Sequence, residues 1–133
     1  MCLSKVSDNA GDAIAIKLVR SIAMKGLAAL AVETLAAATK LGVEDAVLHS
    51  IEDTLSAASF KETLDWLVTA SAVHAERQVH EMHDVMLMMQ EISVDPAMTK
   101  GTTHRLEWLA SKNYKARKKK KKPREWQEIA DCW

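Results

Sequence analysis

The sequence predicts an all-α protein, a multi-helix domain built on one long central helix. Three observations lead there. Hydrophobic residues make up 48% of the 133-residue chain, yet aromatics are only 5%, with four glycines and two prolines. The apolar content is therefore mostly Ala, Leu, Val, Ile and Met, and turn-formers are too scarce to interrupt helices often. Apolar residues recur at spacings of three and four, and no segment alternates apolar with polar residues or repeats another at a fixed period. The length suits one hydrophobic core and leaves no room for two full domains.

From Asp12 to Lys40 the only glycine or proline is Gly26, and Ile14, Ile16, Leu18, Val19, Ile22, Met24, Leu27, Leu30, Val32 and Leu35 follow one another. This predicts one helix about 43 Å long at 1.5 Å per residue. Its apolar groups fall on nearly every face, the pattern of a helix surrounded by others. Gly42 is suited to end it in the left-handed conformation.

A short amphipathic helix begins near Glu44 and Asp45, acidic residues that suit the positive end of a helix dipole, and runs through Leu55. Residues 56–59 break it. Phe60 to Thr69 predicts a third helix that continues or bends near Ser71. Ala72 to Ile92 carries Val79, Met82, Met86 and Met89 on one stripe, read as core or subunit-interface filler. Asp95-Pro96 opens the last helix, which holds Leu106, Trp108 and Leu109. The fold is expected to end near Lys112.

The formal net charge of zero hides a division: residues 1–111 sum to −6 and residues 112–133 to +6. The run Lys118 to Lys122 repels itself and predicts a disordered tail over 112–133. Cys2 and Cys132 lie at opposite ends without metal or disulfide spacing. The first ten residues lack a signal-peptide apolar run, and no uncharged stretch of 18 residues occurs. A cytoplasmic protein without a membrane span is expected.

One helix face near the start carries chemistry. Ala13, Lys17, Arg20, Ser21 and Met24 share a stripe, so two cations and a hydroxyl interrupt an apolar helix. On one reading Lys17 and Arg20 extend to solvent along their aliphatic stems. On the other, partial burial lowers the lysine pKa and makes Lys17 a proton donor or acceptor for a carbonyl. His80, His83 and Asp84 share a face with Glu76 one turn earlier. Solvated polar positions, with an Arg77–Glu81 i,i+4 pair, explain them without a metal ion. The lysine-rich tail, with Tyr114 and Trp126 nearby, allows weak nonspecific nucleic-acid binding or adhesion to an acidic membrane surface.

The stretch Val6-Ser7-Asp8-Asn9-Ala10-Gly11-Asp12-Ala13-Ile14-Ala15-Ile16-Lys17, followed by Lys25-Gly26-Leu27 and Glu33, resembles the start of the helical domain of 6-phosphogluconate dehydrogenase-like and β-hydroxyacid dehydrogenase-like oxidoreductases. With Arg77 to Met82 and Ile92 to Thr99, it is similar to the putative NAD-binding phosphogluconate dehydrogenase C-terminal domain family. The resemblance spans roughly Val6 to Ser111. It implies a remnant of an interdomain segment over 1–11, a helical C-terminal dehydrogenase-like domain over 12–111, and a homodimer with the long helix at its core. It also implies a catalytic Lys17, with Gly11 and Ser21 binding a hydroxy acid-type substrate. Ala13 stands where a second glycine is expected, and Ser21 where the family carries asparagine.

Such enzymes hold their cofactor on a separate Rossmann domain through a G-x-G-x-x-G turn. Gly11, Gly26, Gly42 and Gly101 cannot form one. NAD or NADP is therefore expected only where a partner chain supplies that domain, and the chain alone is expected to be inactive. The alternative is a noncatalytic helical homo-oligomerisation or protein-interaction module.

Overall fold

The computed structural model describes residues 10–117 and 122–133. Its order is α1 (Ala10–Leu41), α2 (Glu44–Ser56), α3 (Phe60–Glu91), α4 (Ala97–Ser111), α5 (Tyr114–Arg117) and α6 (Gln127–Ala130). Helix takes up 83% of the described residues and none of them is in a strand. The all-α class read from composition and periodicity holds. No helix among the described residues is long and apolar enough to cross a membrane.

α1 has 32 residues, about 48 Å of rod. It ends at Gly42, which sits at φ +68°. There the Val43 amide donates to the Ala38 carbonyl and the Gly42 amide to that of Thr39, at 3.0 and 3.1 Å. This pair of bonds satisfies carbonyls a helix end would leave open, and only glycine adopts the required φ without strain. α3 begins with a reciprocal cap: Ser59 Oγ accepts from the Glu62 amide, while the Glu62 carboxylate accepts from the Ser59 amide. The bend expected near Ser71 lies three residues later, at His74, whose φ of −112° and ψ of 21° leave the helical region.

α3 and α4, joined by the short segment 92–96, form the most extensive helix pair. Both helices bury polar residues. Thr63, Thr69, Thr99 and Thr103 are all buried, and the hydroxyls of Thr69 and Thr103 donate to carbonyls one turn back, at 2.8 Å each. Buried hydroxyls satisfied this way avoid the cost of an unpaired polar group.

The region after Lys112 differs from expectation. α4 does end at Ser111, but packing continues past it. Tyr114, Ile129 and Cys132 bury themselves against Ala72 of α3, with Val68 and Val73 alongside. Apolar side chains at 126, 129 and 132 recur at helical spacing and give this part a face to bury, which the lysine run before it obscures. Lys118 to Lys121, most of that run, lie outside the described residues, as do residues 1–9 with Cys2. Ile129 is only 1% exposed. Ile129→Val is therefore expected to cost about 1 kcal/mol, a drop of roughly 5 °C in melting temperature. An unpacked tail would melt unchanged.

Candidate functional site

α1 positions the sequence-predicted site residues. Gly11, which the resemblance assigns to substrate binding, lies inside the first turn of α1, which begins at Ala10. Lys17 and Ser21 follow at i,i+4 spacing, and the Ser21 hydroxyl donates to the Lys17 carbonyl at 3.1 Å. That bond commits the serine proton to the backbone but leaves the oxygen able to accept. Every residue from Ala10 to Arg20 is exposed. Lys17 is therefore exposed among the described residues.

Exposure on this helix is unusual in kind. Ala38 is its one buried residue, while Leu18 and Val19 are each 64% exposed, Val32 70% and Ile22 75%. Exposed apolar side chains occur all around the rod.

The C-terminal half of α1 holds a second arrangement. Glu33 reaches the first turn of α4, where its carboxylate accepts from the Met98 amide at 2.7 Å, the Thr99 amide at 2.8 Å and the Thr99 hydroxyl at 2.7 Å. Burial by itself raises the Glu33 pKa, but these three donors together outweigh it and hold the carboxyl below its ordinary value. The negative charge also faces the positive end of the α4 dipole. Beside it lies a cavity of about 340 Å³ between α1, the start of α2 and the methionine stripe, lined by Leu30, Ala37, Val47, Met82, Met88 and Met89 among others. Met89 is fully buried and Met82 and Met86 partly so, as expected of core filler.

Asp65 on α3 plays a parallel part for the tail. Its carboxylate accepts from the Trp126 amide at 3.0 Å and from Lys61 Nζ at 3.3 Å. The Trp126 hydrogen bond lowers its pKa, burial opposes, and Lys61 adds to the lowering. Burial raises the pKa of the Tyr114 hydroxyl, helped by the negative potentials of Glu128 and Cys132.

Neither carboxylate was assigned a role from sequence. A signal for Glu33 does exist: Pro96 precedes α4 and makes no side-chain cap, so the first amides of that helix need an acceptor from elsewhere. Asp65 leaves no comparable mark.

The histidine cluster behaves as solvated surface. Arg77 pairs with Glu81 at 3.3 Å, His80 and His83 meet edge to face with centroids 6.2 Å apart, and no three metal-binding side chains converge among the described residues. Nor do the glycines fit a dinucleotide. Gly11, Gly26 and Gly101 sit inside helices, and a Cβ at Gly26 or Gly101 would meet open space rather than a close-packed cradle. Among the described residues these glycines do not form a pyrophosphate-binding turn.

A 97-residue stretch is 29% identical to an uncharacterized 28.5 kDa protein in the 7S RNA 5'region of Methanothermus fervidus, covering 73% of this chain and 38% of the relative. The chain thus spans well under half the length of the curated relative it matches. No solved structure matches it. Residues 38–109, more than half of the chain, match the family described as a domain of unknown function, DUF1932, so the chain belongs to that family.

Proposed function

We propose that this chain is the C-terminal substrate and dimerisation domain of an NAD(P)-dependent oxidoreductase acting on a hydroxy acid-type substrate. The observation that carries the reading is the family, a domain found in the C-terminal region of 6-phosphogluconate and hydroxyacid dehydrogenase-like proteins. The resemblance around Gly11 to Lys17 agrees with it. On this reading a second copy of the chain covers the apolar flanks of α1. A Rossmann domain, on a separate chain or a further segment, holds the cofactor.

Lys17 then acts on the substrate oxygen. A lysine enclosed by a partner surface exchanges a proton with the hydroxyl or carbonyl oxygen of the substrate. Ser21, one turn on, accepts a hydrogen bond from a substrate hydroxyl with the oxygen its own backbone bond leaves open. Gly11 lets substrate approach the helix start without a side chain in the way.

The test reconstitutes the chain with a Rossmann-domain partner and follows hydride transfer to a panel of hydroxy acids. Lys17→Ala is expected to lower kcat about 10²- to 10⁴-fold, the usual contribution of a positioned acid or base, with little change in assembly. Unchanged turnover would remove the catalytic role and leave the second reading, a noncatalytic homo-oligomerisation module, which the exposure of α1 favours by itself. Tight binding of NAD(H) or NADP(H) by the chain alone would contradict the assignment of the cofactor to a partner domain.

A further inference from the structure

The α1 stripe carries two cations, and the proposed chemistry uses only Lys17. Arg20 stands three residues further on and is exposed like its neighbour. Residues three apart on a helix bring their Cβ atoms to about 5–6 Å, where like charges repel. On α3 each Lys or Arg meets an acid one turn on: Lys61 pairs with Asp65 and Arg77 with Glu81, both at 3.3 Å. α1 offers no such relief. Its residues 13–32 include Lys17, Arg20 and Lys25 but neither Asp nor Glu. Among the described residues no carboxylate pairs with Lys17 or Arg20.

The two cations differ in what they do to an anion. An ammonium can exchange a proton with an oxygen atom. A guanidinium does not act as an acid or base, but its planar fork of N–H donors grips a carboxylate with two parallel hydrogen bonds. A hydroxy acid presents both targets within a few bonds of each other, the oxygen that reacts and the carboxylate that does not. Ser21 completes the pattern, because at about 100° per residue Arg20 and Ser21 fall on opposite flanks of Lys17.

We infer that Arg20 is the carboxylate anchor of the substrate site and sets its preference for acids, with Lys17 at the reacting oxygen and Ser21 toward a further hydroxyl. The inference rests on the oxidoreductase reading of Lys17. The substrate carboxylate keeps its charge throughout the reaction, so Arg20 holds ground state and transition state alike. Its loss therefore raises KM rather than lowering kcat.

The chain, reconstituted with a Rossmann-domain partner, is assayed with a hydroxy acid that it turns over and with the methyl ester of that acid. Arg20→Gln is expected to raise KM for the acid about 10- to 100-fold, the usual loss when a hydrogen-bonded charge pair is broken. Its kcat should change less than about threefold, and KM for the ester should barely move. Arg20→Lys, which keeps the charge and loses the fork, should recover part of the loss. Lys17→Ala should give the opposite split, a fall in kcat. Melting temperature reads folding separately, and Arg20→Gln, at an exposed site, should melt as wild type. An acid KM unchanged by Arg20→Gln, in a complex that Lys17→Ala cripples, overturns the anchor and leaves the oxidoreductase reading standing. An equal rise in KM for acid and ester overturns it too, because the side chain would then act through shape and not charge. A complex that turns over no hydroxy acid, or is indifferent to Lys17→Ala, removes the oxidoreductase reading and the anchor with it.

Discussion

If a second copy covers α1 as proposed, Ile22→Asp is expected to convert a particle of twice the 14.7 kDa chain mass into a monomer, read by sedimentation equilibrium across a dilution series. Ile22 has the largest exposure of the large hydrophobic residues on α1, at 75%, and burying a side chain of its size contributes about 1.5–3 kcal/mol. In a twofold assembly each residue counts twice, and an aspartate facing apolar surface adds a desolvation penalty. The dimer should weaken by at least 100-fold, since each 1.4 kcal/mol is a factor of ten. Lys25→Glu, also exposed on α1 but removing no apolar surface, should change the association far less. A wild-type chain that sediments as a monomer at all concentrations would remove the dimer reading.

Glu33→Gln is expected to cost about 2–4 kcal/mol at pH 7, because it removes a charge that accepts three hydrogen bonds and turns amide hydrogens toward amide donors. For a domain of this size that is a loss of roughly 10–20 °C in melting temperature at a fixed chain concentration. The pH dependence has a defined sign. The Glu33 pKa is lower in the folded chain than its ordinary value of 4.5. Its contribution is therefore present above that value and is lost as pH falls through the folded pKa. The gap between wild type and Glu33→Gln should be widest near neutrality and close on acidification. A gap that stays constant from pH 7 to pH 3 would assign the cost to shape rather than charge.

Much of this architecture is legible in the sequence, and what is missed has physical reasons. The long helix, its stop at Gly42, the short second helix and the bend in the third follow from periodicity and turn chemistry, which are local properties. The tail does not. Its lysine run dominates any reading of composition, while the residues that fold it, Tyr114, Ile129 and Cys132, are few and matter only because α3 presents Ala72 and Val68 to receive them. Ser93 shows a similar limit: it takes φ +57° at the end of α3, a conformation usually given to glycine, and nothing in its local sequence announces it. At the candidate site the sequence singles out Lys17 as a candidate by its oddity on an apolar helix. Glu33 and Asp65 look like ordinary surface acids, since each finds its acceptor role more than sixty residues away along the chain.

The fastening of α1 at one end has a mechanical consequence. Glu33 and Ala38 tie its C-terminal part to the body, while Lys17 stands sixteen residues toward its N-terminal end, about 24 Å along a stiff rod. The rod is an outrigger: it carries the lysine clear of the other described helices, and no side-chain rotation can bring Lys17 back to α4. Any enclosure in which Lys17 works must be closed by atoms from outside the described body. Small pivots at the Glu33 anchor would be magnified at that distance into displacements of several ångströms.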